Sequence, residues 1–312
     1  MPSRLFSLIG RHAMPILAGG IFAGVILPDL ATALRPLLEA SVLVLLTVSL
    51  IKLDFHAVLA YARRPGLTAA AVGWQLLLAP VAMAAVTMAL GLPAGLAVAM
   101  VLGASAPPIT ASPAIAQLLD LDAPLVLVLL VATTLLLPLT ITPISLWLLD
   151  LHLSMSPFAF FLRAALFVGI PFIAAGILRR LLPAGWPTRH AVEIDGLIVV
   201  VLVVFAIAVM DGVTARLLAE PATVAGFVLA AFAANFALQA AGAGVFLWLG
   251  RRRAFSIGLV SGYRNMAVML VATAGVAGPD MFLYVAVAQI PMYVLPALMH
   301  PLYRRLLAGA AA

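Results

Sequence analysis

The succession of apolar segments constrains this chain more than any other feature of its sequence. Ten segments approach the roughly 20 apolar residues that a membrane-spanning helix needs. They cover residues 13–28, 36–52, 67–90, 94–119, 123–148, 157–178, 195–211, 222–249, 254–277 and 280–303. Hydrophobic residues make up 65% of the chain and charged residues only 9%, which is far from the composition of a soluble domain. We therefore expect an all-α membrane protein with ten transmembrane helices.

The basic residues predict how these spans are oriented. With a cytoplasmic N-terminus, 13 of the 17 basic residues lie on the cytoplasmic side: Arg4, Arg11, Lys52, Arg63, Arg64, Arg179, Arg180, Arg189, Arg251, Arg252, Arg253, Arg304 and Arg305. Arg35, Arg163 and Arg216 then lie outside, and Arg264 falls within a span. This bias is typical of helical membrane proteins and predicts a multi-pass protein of the plasma (inner) membrane with both termini cytoplasmic. Alternatively, the first apolar run is a cleaved signal peptide, which leaves nine spans.

Two of the predicted spans contain residues that interrupt a helix. In the fourth span Pro107 and Pro108 are adjacent, and each lacks a backbone donor. In the ninth span the interruption is the polar run at residues 261–265. A boundary near residues 150–156 gives two repeats, 1–150 and 151–312, with five spans each, so the repeats enter the membrane from opposite sides. Interrupted helices at matching positions of inverted repeats are typical of transporter binding sites.

Arg264 is the most informative single residue. A charged side chain at membrane depth is costly and needs a partner, and arginine does not escape by losing its proton. One interpretation is a structural cation bound by free carbonyls at the end of the first half of the ninth span, or by a buried acid such as Glu39. The other is an arginine that faces a wet cavity and binds an anionic substrate. The sequence leaves both open.

Further residues carry a resemblance to a known family. They are Gln75 to Pro80, Gly91 to Ala94, Thr110-Ala111-Ser112, Pro138, Thr142-Pro143 and Gly262 to Asn265. In these residues, and over nearly its whole length, the chain resembles the bile acid:sodium symporter family. The resemblance implies a panel domain from spans 1, 2, 6 and 7, and a core domain from spans 3–5 and 8–10 in which the discontinuous fourth and ninth helices cross. It also implies alternating access and amphipathic organic anions as substrates.

The chain departs from the sodium-coupled members of that family at the ion ligands. Val260 stands where those members have an acid, Arg264 where they have glutamine, and Pro113 where they have asparagine. Val126 and Leu130 stand where they have polar ligands on the fifth span. A hard cation takes several oxygen ligands, which these side chains do not supply. We therefore hypothesise a transporter of small organic anions that is not sodium-coupled, with Arg264 in place of a bound cation.

The site residues that follow from both lines of reasoning fall into three groups. The predicted substrate-binding residues are Thr110, Ala111, Arg264, Asn265 and Met266. The predicted ion-coupling or cation-mimicking residues are Arg264, Gln75 and Ser112. Glu39 is a possible proton carrier, since an acid within a predicted helix can bind and release a proton.

Other function classes fit the sequence less well. The chain has no cysteine, no HExxH and no GxSxG sequence, so we predict no enzyme activity, no metal site and no cofactor. We predict no nucleic-acid partner, because the net charge of +6 is explained by membrane orientation. No sequence feature indicates an obligate protein partner, and we predict none. A sodium-dependent symporter with atypical coordination, an anion channel and an arsenite-type efflux protein remain alternatives.

Overall fold

Helices dominate the computed structural model, which describes residues 6, 13–52, 65–151, 155–183, 185–274, 276 and 278–308. The helices are α1 (Ala13–Ile26), α2 (Pro28–Ile51), α3 (Pro65–Ala89), α4 (Ala94–Ser105), α5 (Ser112–Leu118), α6 (Ala123–Leu148), α7 (Pro157–Leu181), α8 (Trp186–Arg189), α9 (Ala191–Ala208), α10 (Val213–Ala219), α11 (Pro221–Val245), α12 (Arg251–Gly262), α13 (Met266–Ala272) and α14 (Pro279–Ala308). Helix α3 contains a π-helical segment, Trp74–Leu78, and α6 contains another, Ile144–Leu148. In the described ranges there is no β-strand, only one isolated β-bridge.

In the part of the chain that the structure describes, six helical stretches are long and apolar enough to cross a membrane. They are Pro28–Ile51, Pro65–Ala89, Ala123–Leu148, Pro157–Leu181, Ala191–Ala219 and Pro221–Val245. Large apolar side chains lie exposed on several of them, which suits contact with lipid. The protein is therefore an all-α, multi-pass membrane protein, while the total of ten spans stays a prediction. Of the arginines that predict the orientation, Arg4, Arg11, Arg63 and Arg64 lie outside the described residues.

The chain forms two compact units, of which the first comprises residues 1–53 and 166–225. In this unit α9 packs against α1 and α2. A Cβ atom at Gly24 of α1 would lie 2.8 Å from the carbonyl oxygen of Ile207, so these helices approach closely because Gly24 has no side chain. Asp211 accepts hydrogen bonds from Arg35 and Thr32, both at 2.6 Å, and ties the end of α9 to α2.

The second unit comprises residues 54–165 and 226–312 and contains α4, α5, α12 and α13. Here α4 packs against α3 and α14, and α6 packs against α5 and α12. Glycines allow α11 and α12 to approach closely. A Cβ at Gly258 would lie 2.6 Å from the carbonyl oxygen of Gln239, and a Cβ at Gly262 would lie 2.7 Å from that of Asn235. Small residues four apart are a common means of close helix packing in membranes.

Candidate functional site

Two extended segments of the second unit pair with each other where helices stop. Helix α4 ends at Ser105 and α5 begins at Ser112, while α12 ends at Gly262 and α13 begins at Met266. Pro108 and Arg264 form an antiparallel β-bridge between the two interruptions. The backbone N–H of Ile109 donates to Tyr263 at 3.0 Å, and that of Asn265 donates to Pro107 at 2.7 Å. We call residues 106–111 and 263–265 together the paired break.

The local sequence explains why both helices stop here. Pro107 and Pro108 have no backbone N–H, so they cannot continue the hydrogen bonding of α4. On the other side Asn265 begins α13 as an N-cap, because its Oδ1 accepts from the N–H of Val268 at 3.2 Å. The two interruptions then supply each other's missing backbone partners. This pairing allows non-helical backbone to be buried at membrane depth.

Arg264 lies in the paired break with only 2% of its surface exposed. Its Nε donates to the carbonyl oxygen of Ser261 and its Nη1 donates to that of Ala106, both at 2.7 Å. Ser261 belongs to the last turn of α12, and Ala106 directly follows α4. The guanidinium therefore lies at the C-terminal ends of two helices, where unpaired carbonyls carry partial negative charge.

This geometry agrees with one of the two interpretations of Arg264. Backbone carbonyls bind the guanidinium, and among the described residues no carboxylate forms an ion pair with it. Glu39, the acid considered as a partner, is exposed and lies in the other unit, just after the 3₁₀-helical segment Arg35–Leu37 of α2. Nη2 of Arg264 is buried without a described hydrogen-bond partner. A direct contact between Arg264 and a substrate stays a prediction.

Five backbone carbonyls of the paired break and the last turn of α12 already accept hydrogen bonds from the protein. The acceptors are the carbonyl oxygens of Ala106, Pro107, Ser261, Gly262 and Tyr263. Four nearby side chains supply no oxygen ligand for a cation. Val260, Val126 and Leu130 are buried hydrocarbon, and the side chain of Pro113 has no polar atom. These residues do not fit the oxygen-rich coordination that a sodium ion would require. Within the described ranges no group of three or more His, Cys, Asp or Glu could hold a metal either.

Gln75 and Ser112, the other predicted cation-site residues, are both fully buried. Gln75 lies in the π-helical segment of α3, and its Nε2 donates to Oγ of Ser261 at 3.1 Å. Trp74 donates to the same Oγ at 2.9 Å. Oε1 of Gln75 and Oγ of Ser112 have no partner among the described atoms. The sequence drew attention to Gln75 but not to Ser261, because a serine in an apolar helix usually bonds only to its own backbone.

The remaining predicted substrate residues line the paired break with partly accessible surface. Thr110, Asn265 and Met266 are half-buried, and Ala111 is exposed. Hydrogen bonds between the two segments bring Asn265 to the loop that carries Thr110 and Ala111. The structure therefore brings these four residues into one region of the second unit. Whether they bind a substrate stays a prediction.

Three buried polar side chains form a row of hydrogen bonds that ends at Gly262, next to the paired break. The sequence analysis did not identify this buried polar row. The hydroxyl of Tyr303 donates to Oε1 of Gln239 at 2.7 Å, and Nε2 of Gln239 donates to Oδ1 of Asn235 at 2.6 Å. Nδ2 of Asn235 then donates to the carbonyl oxygen of Gly262 at 2.9 Å. Asn235 and Gln239 are four residues apart in an apolar helix, a spacing that could have signalled one shared polar face.

Comparison with known proteins gives one result. The model of a family described as the sodium bile acid symporter family matches residues 40–219, which is more than half of the chain. The match covers the first interruption and ends before the second, so Val260 and Arg264 lie beyond it. No curated protein matches the chain.

Proposed function

Because the chain belongs to the sodium bile acid symporter family, whose members are membrane transporters, we propose that it carries small organic anions by secondary transport without sodium. In this proposal Arg264 is a fixed positive charge in the place of a bound cation. The protein then works as a uniporter, an exchanger or a proton-coupled transporter, with Glu39 as the candidate proton carrier in the last case.

The proposed architecture is that of ten spans in two inverted repeats, 1–150 and 151–312. A panel domain from spans 1, 2, 6 and 7 and a core domain from spans 3–5 and 8–10 would move relative to each other to give alternating access. The two compact units support this division, because the first contains α1, α2 and α9 and the second contains both interrupted helices. The pairing of the two interruptions supports a crossing of the fourth and ninth helices.

The binding of the Arg264 guanidinium between two helix ends is the observation that carries the proposal. A cation near a helix C-terminus is stabilised by about 0.3–1 kcal/mol, and by up to about 2 kcal/mol where it is partly buried. Here the guanidinium of Arg264 donates hydrogen bonds to carbonyls at two helix C-termini, those of Ser261 and Ala106. A sodium ion would have to compete with a permanent charge that cannot leave and would be repelled by it. The side chain thus stabilises the paired break without an ion from solution.

Thr110, Ala111, Asn265 and Met266 are the proposed substrate contacts. They combine a hydroxyl, an amide, backbone groups and a thioether, which suits an anion with an apolar part. Their partial exposure supports this assignment, since a substrate has to reach them. The positive charge of Arg264 favours an anion at the same break through the field it creates, with or without direct contact.

A sodium-dependent symporter with atypical coordination is the second candidate. One observation favours it: Oε1 of Gln75 and Oγ of Ser112 are buried oxygens without a described partner. Two oxygens are fewer than the several that a hard cation takes. Anion-channel and arsenite-efflux activity have no such observation in their favour.

Uptake into proteoliposomes tests the proposal. The purified full-length protein is reconstituted, and uptake of a panel of small carboxylates and sulfonates is measured with sodium, potassium or choline outside. We expect saturable uptake that is equal in the three cations and is lost in Arg264→Gln. Arg163→Gln is the matched control, because Arg163 also donates to a backbone carbonyl of the second unit, that of Ala274 at 2.7 Å.

The possible results separate the candidates. Uptake that requires sodium would overturn the proposal and favour coordination through Gln75 and Ser112. Uptake that does not saturate and shows no counterflow would indicate a channel. Equal loss of uptake in Arg264→Gln and Arg163→Gln would remove the special role given to Arg264.

A further inference from the structure

Exposed arginines of the second unit meet at the start of α12 and the end of α14. Arg251 and Arg252 are the first two residues of α12, and Arg305 lies in the last turn of α14. All three residues are exposed. Nη1 of Arg251 donates to the carbonyl oxygen of Leu306 at 3.1 Å, so the start of α12 lies against the end of α14.

Among the described residues, no carboxylate neutralises these three arginines. Arg252 donates to a backbone carbonyl, that of Leu121 at 3.3 Å, as Arg251 does to its own carbonyl partner. Arg253 differs from both, since its Nε lies 3.7 Å from Oδ2 of Asp122. The first turn of α12 contains no acidic residue, so the helix dipole adds to the positive charge there. The carbonyls thus hold two guanidiniums in place and leave their charge available to an outside anion.

Apolar side chains directly precede these arginines. Leu247 and Trp248 lie in the short 3₁₀-helical turn between α11 and α12, and they expose 52% and 72% of their surface. Gly250 follows with a φ of +86°, a backbone conformation that glycine adopts readily, and it leads the chain into α12. Trp248 is three residues from Arg251, so their Cα atoms lie within about 11 Å of each other. We call this surface the Arg251 patch, which comprises Leu247, Trp248, Arg251, Arg252 and Arg305.

We propose that the Arg251 patch binds one anionic phospholipid. The phosphate oxygens of the headgroup accept charge-assisted hydrogen bonds from the guanidiniums of Arg251 and Arg252. The glycerol and the upper part of an acyl chain contact Leu247 and Trp248, and tryptophan is enriched at the depth of the membrane–water interface. A free phosphate would neutralise the arginines but leave both apolar side chains uncovered. A phospholipid matches the charged and the apolar half of the patch together.

The place of the patch in the chain agrees with this ligand. Its arginines belong to the set that predicts the cytoplasmic side, where anionic lipids attract basic segments next to membrane spans. Orientation requires only the charge of such residues. Guanidiniums held by carbonyls beside an exposed tryptophan define, in addition, a position for a single headgroup. A lipid bound there bridges the start of α12 and the end of α14, so it stabilises the folded second unit.

Thermal unfolding of the detergent-purified protein tests the site without a known substrate. Short-chain phosphatidylglycerol is titrated at constant ionic strength, with phosphatidylcholine of the same chain length and inorganic phosphate as separate arms. We expect phosphatidylglycerol to raise the Tm saturably, by about 5 °C when it is roughly 100 times above its Kd. Phosphatidylcholine and inorganic phosphate should each raise the Tm much less, because one carries no net charge and the other has no apolar part.

A pair of matched double variants separates the patch from positive charge in general. Replacing both Arg251 and Arg252 by glutamine should weaken phosphatidylglycerol binding about 30-fold, since each basic residue near a membrane surface contributes a factor of about five. Replacing Arg179 and Arg180 by glutamine is the control, because both lie in the last turn of α7 on the same predicted side. Arg179 also donates to a backbone carbonyl, that of Ile51 at 3.1 Å. This control should keep the wild-type affinity.

Native mass spectrometry gives the direct readout. The wild type and the α7 control should retain one phosphatidylglycerol in preference to phosphatidylcholine, and the α12 double variant should not. Trp248→Ala keeps every charge and replaces a side chain that is mostly exposed, so it should fold and still bind this lipid more weakly. Equal losses in the two double variants would overturn the proposal as general charge attraction. Equal stabilisation by inorganic phosphate, or unchanged binding in Trp248→Ala, would overturn the assignment to a lipid.

Discussion

Replacement of Gly262 by alanine should strongly destabilise the second unit. A Cβ at this position would lie 2.4 Å from Cγ of Gln239 and 2.7 Å from the backbone oxygen of Asn235. The side chain of Gln239 cannot easily move, because it bonds both Asn235 and Tyr303. The backbone of α11 cannot move without parting the helices. Gly262 is the last residue of α12, so the strain falls directly on the paired break.

The contacts determine the size of the effect. Overpacking of a well-packed core costs about 1–3 kcal/mol, and a backbone contact belongs near the upper end. Loss of the hydrogen bond from Asn235 to the Gly262 carbonyl adds about 1 kcal/mol. At roughly 2 °C per kcal/mol for a chain of this size, the Tm should fall by about 6–8 °C.

Thermal unfolding in detergent measures this shift, with Gly226→Ala as the control. Gly226 lies in α11, and a Cβ there would meet nothing within 4 Å. That substitution should leave the Tm unchanged or raise it slightly, because alanine favours helix by about 1 kcal/mol over glycine. An equal fall in both variants, or no fall in Gly262→Ala, would refute the close packing of α11 and α12. Loss of uptake in Gly262→Ala alone would link this packing to the transport site.

Two further predictions concern the buried polar row and the first unit. Tyr303→Phe should lower the free energy of unfolding by about 1 kcal/mol, because it leaves Oε1 of Gln239 without its donor. Tyr263→Phe should leave the free energy of unfolding unchanged or raise it, because the Tyr263 hydroxyl is buried without a described partner. Thermal unfolding of both variants checks this, and a greater loss in Tyr263→Phe would contradict it. Gly24→Ala should lower the Tm by several degrees through a 2.8 Å approach to a carbonyl of α9, while Gly19→Ala, with nothing within 4 Å, should not. Similar Tm values for these two variants would refute the close approach of α1 and α9.

The proposed absence of sodium coupling rests on the second interruption. Sodium coordination depends on oxygen atoms that are free to face the ion. At the two interruptions the carbonyls of Ala106, Pro107, Ser261, Gly262 and Tyr263 each accept from a backbone N–H group, from Asn235 or from Arg264 itself. In the proposed function the guanidinium of Arg264 thus occupies two of these carbonyls, those of Ala106 and Ser261. Under that proposal the transporter is a uniporter, an exchanger or a proton-coupled transporter.

The sequence alone was sufficient for the membrane class and for the positions of both interruptions, and it drew attention to Arg264 as a charge in an apolar segment. These features are local. Apolar runs, adjacent prolines and a charge among apolar residues can each be recognised within about 20 residues, because lipid forces every span to meet the same requirements of length and hydrogen bonding. The family resemblance seen in the residues was also confirmed, since the family model covers more than half of the chain.

Only the tertiary structure decided which partners satisfy these residues. The carbonyl of Ala106 that binds Arg264 is 158 residues away in the chain, and Ser261 accepts from Gln75, which is 186 residues away. Neither partner can be identified from a local sequence pattern, because many carbonyls and hydroxyls of an apolar helix look equivalent in sequence. The backbone pairing of the two interruptions selects the carbonyl of Ala106, and the position of α3 beside α12 selects the hydroxyl of Ser261. For this reason the sequence left open whether carbonyls, an acid such as Glu39 or a substrate anion pairs with Arg264, and the fold shows two carbonyls as its partners.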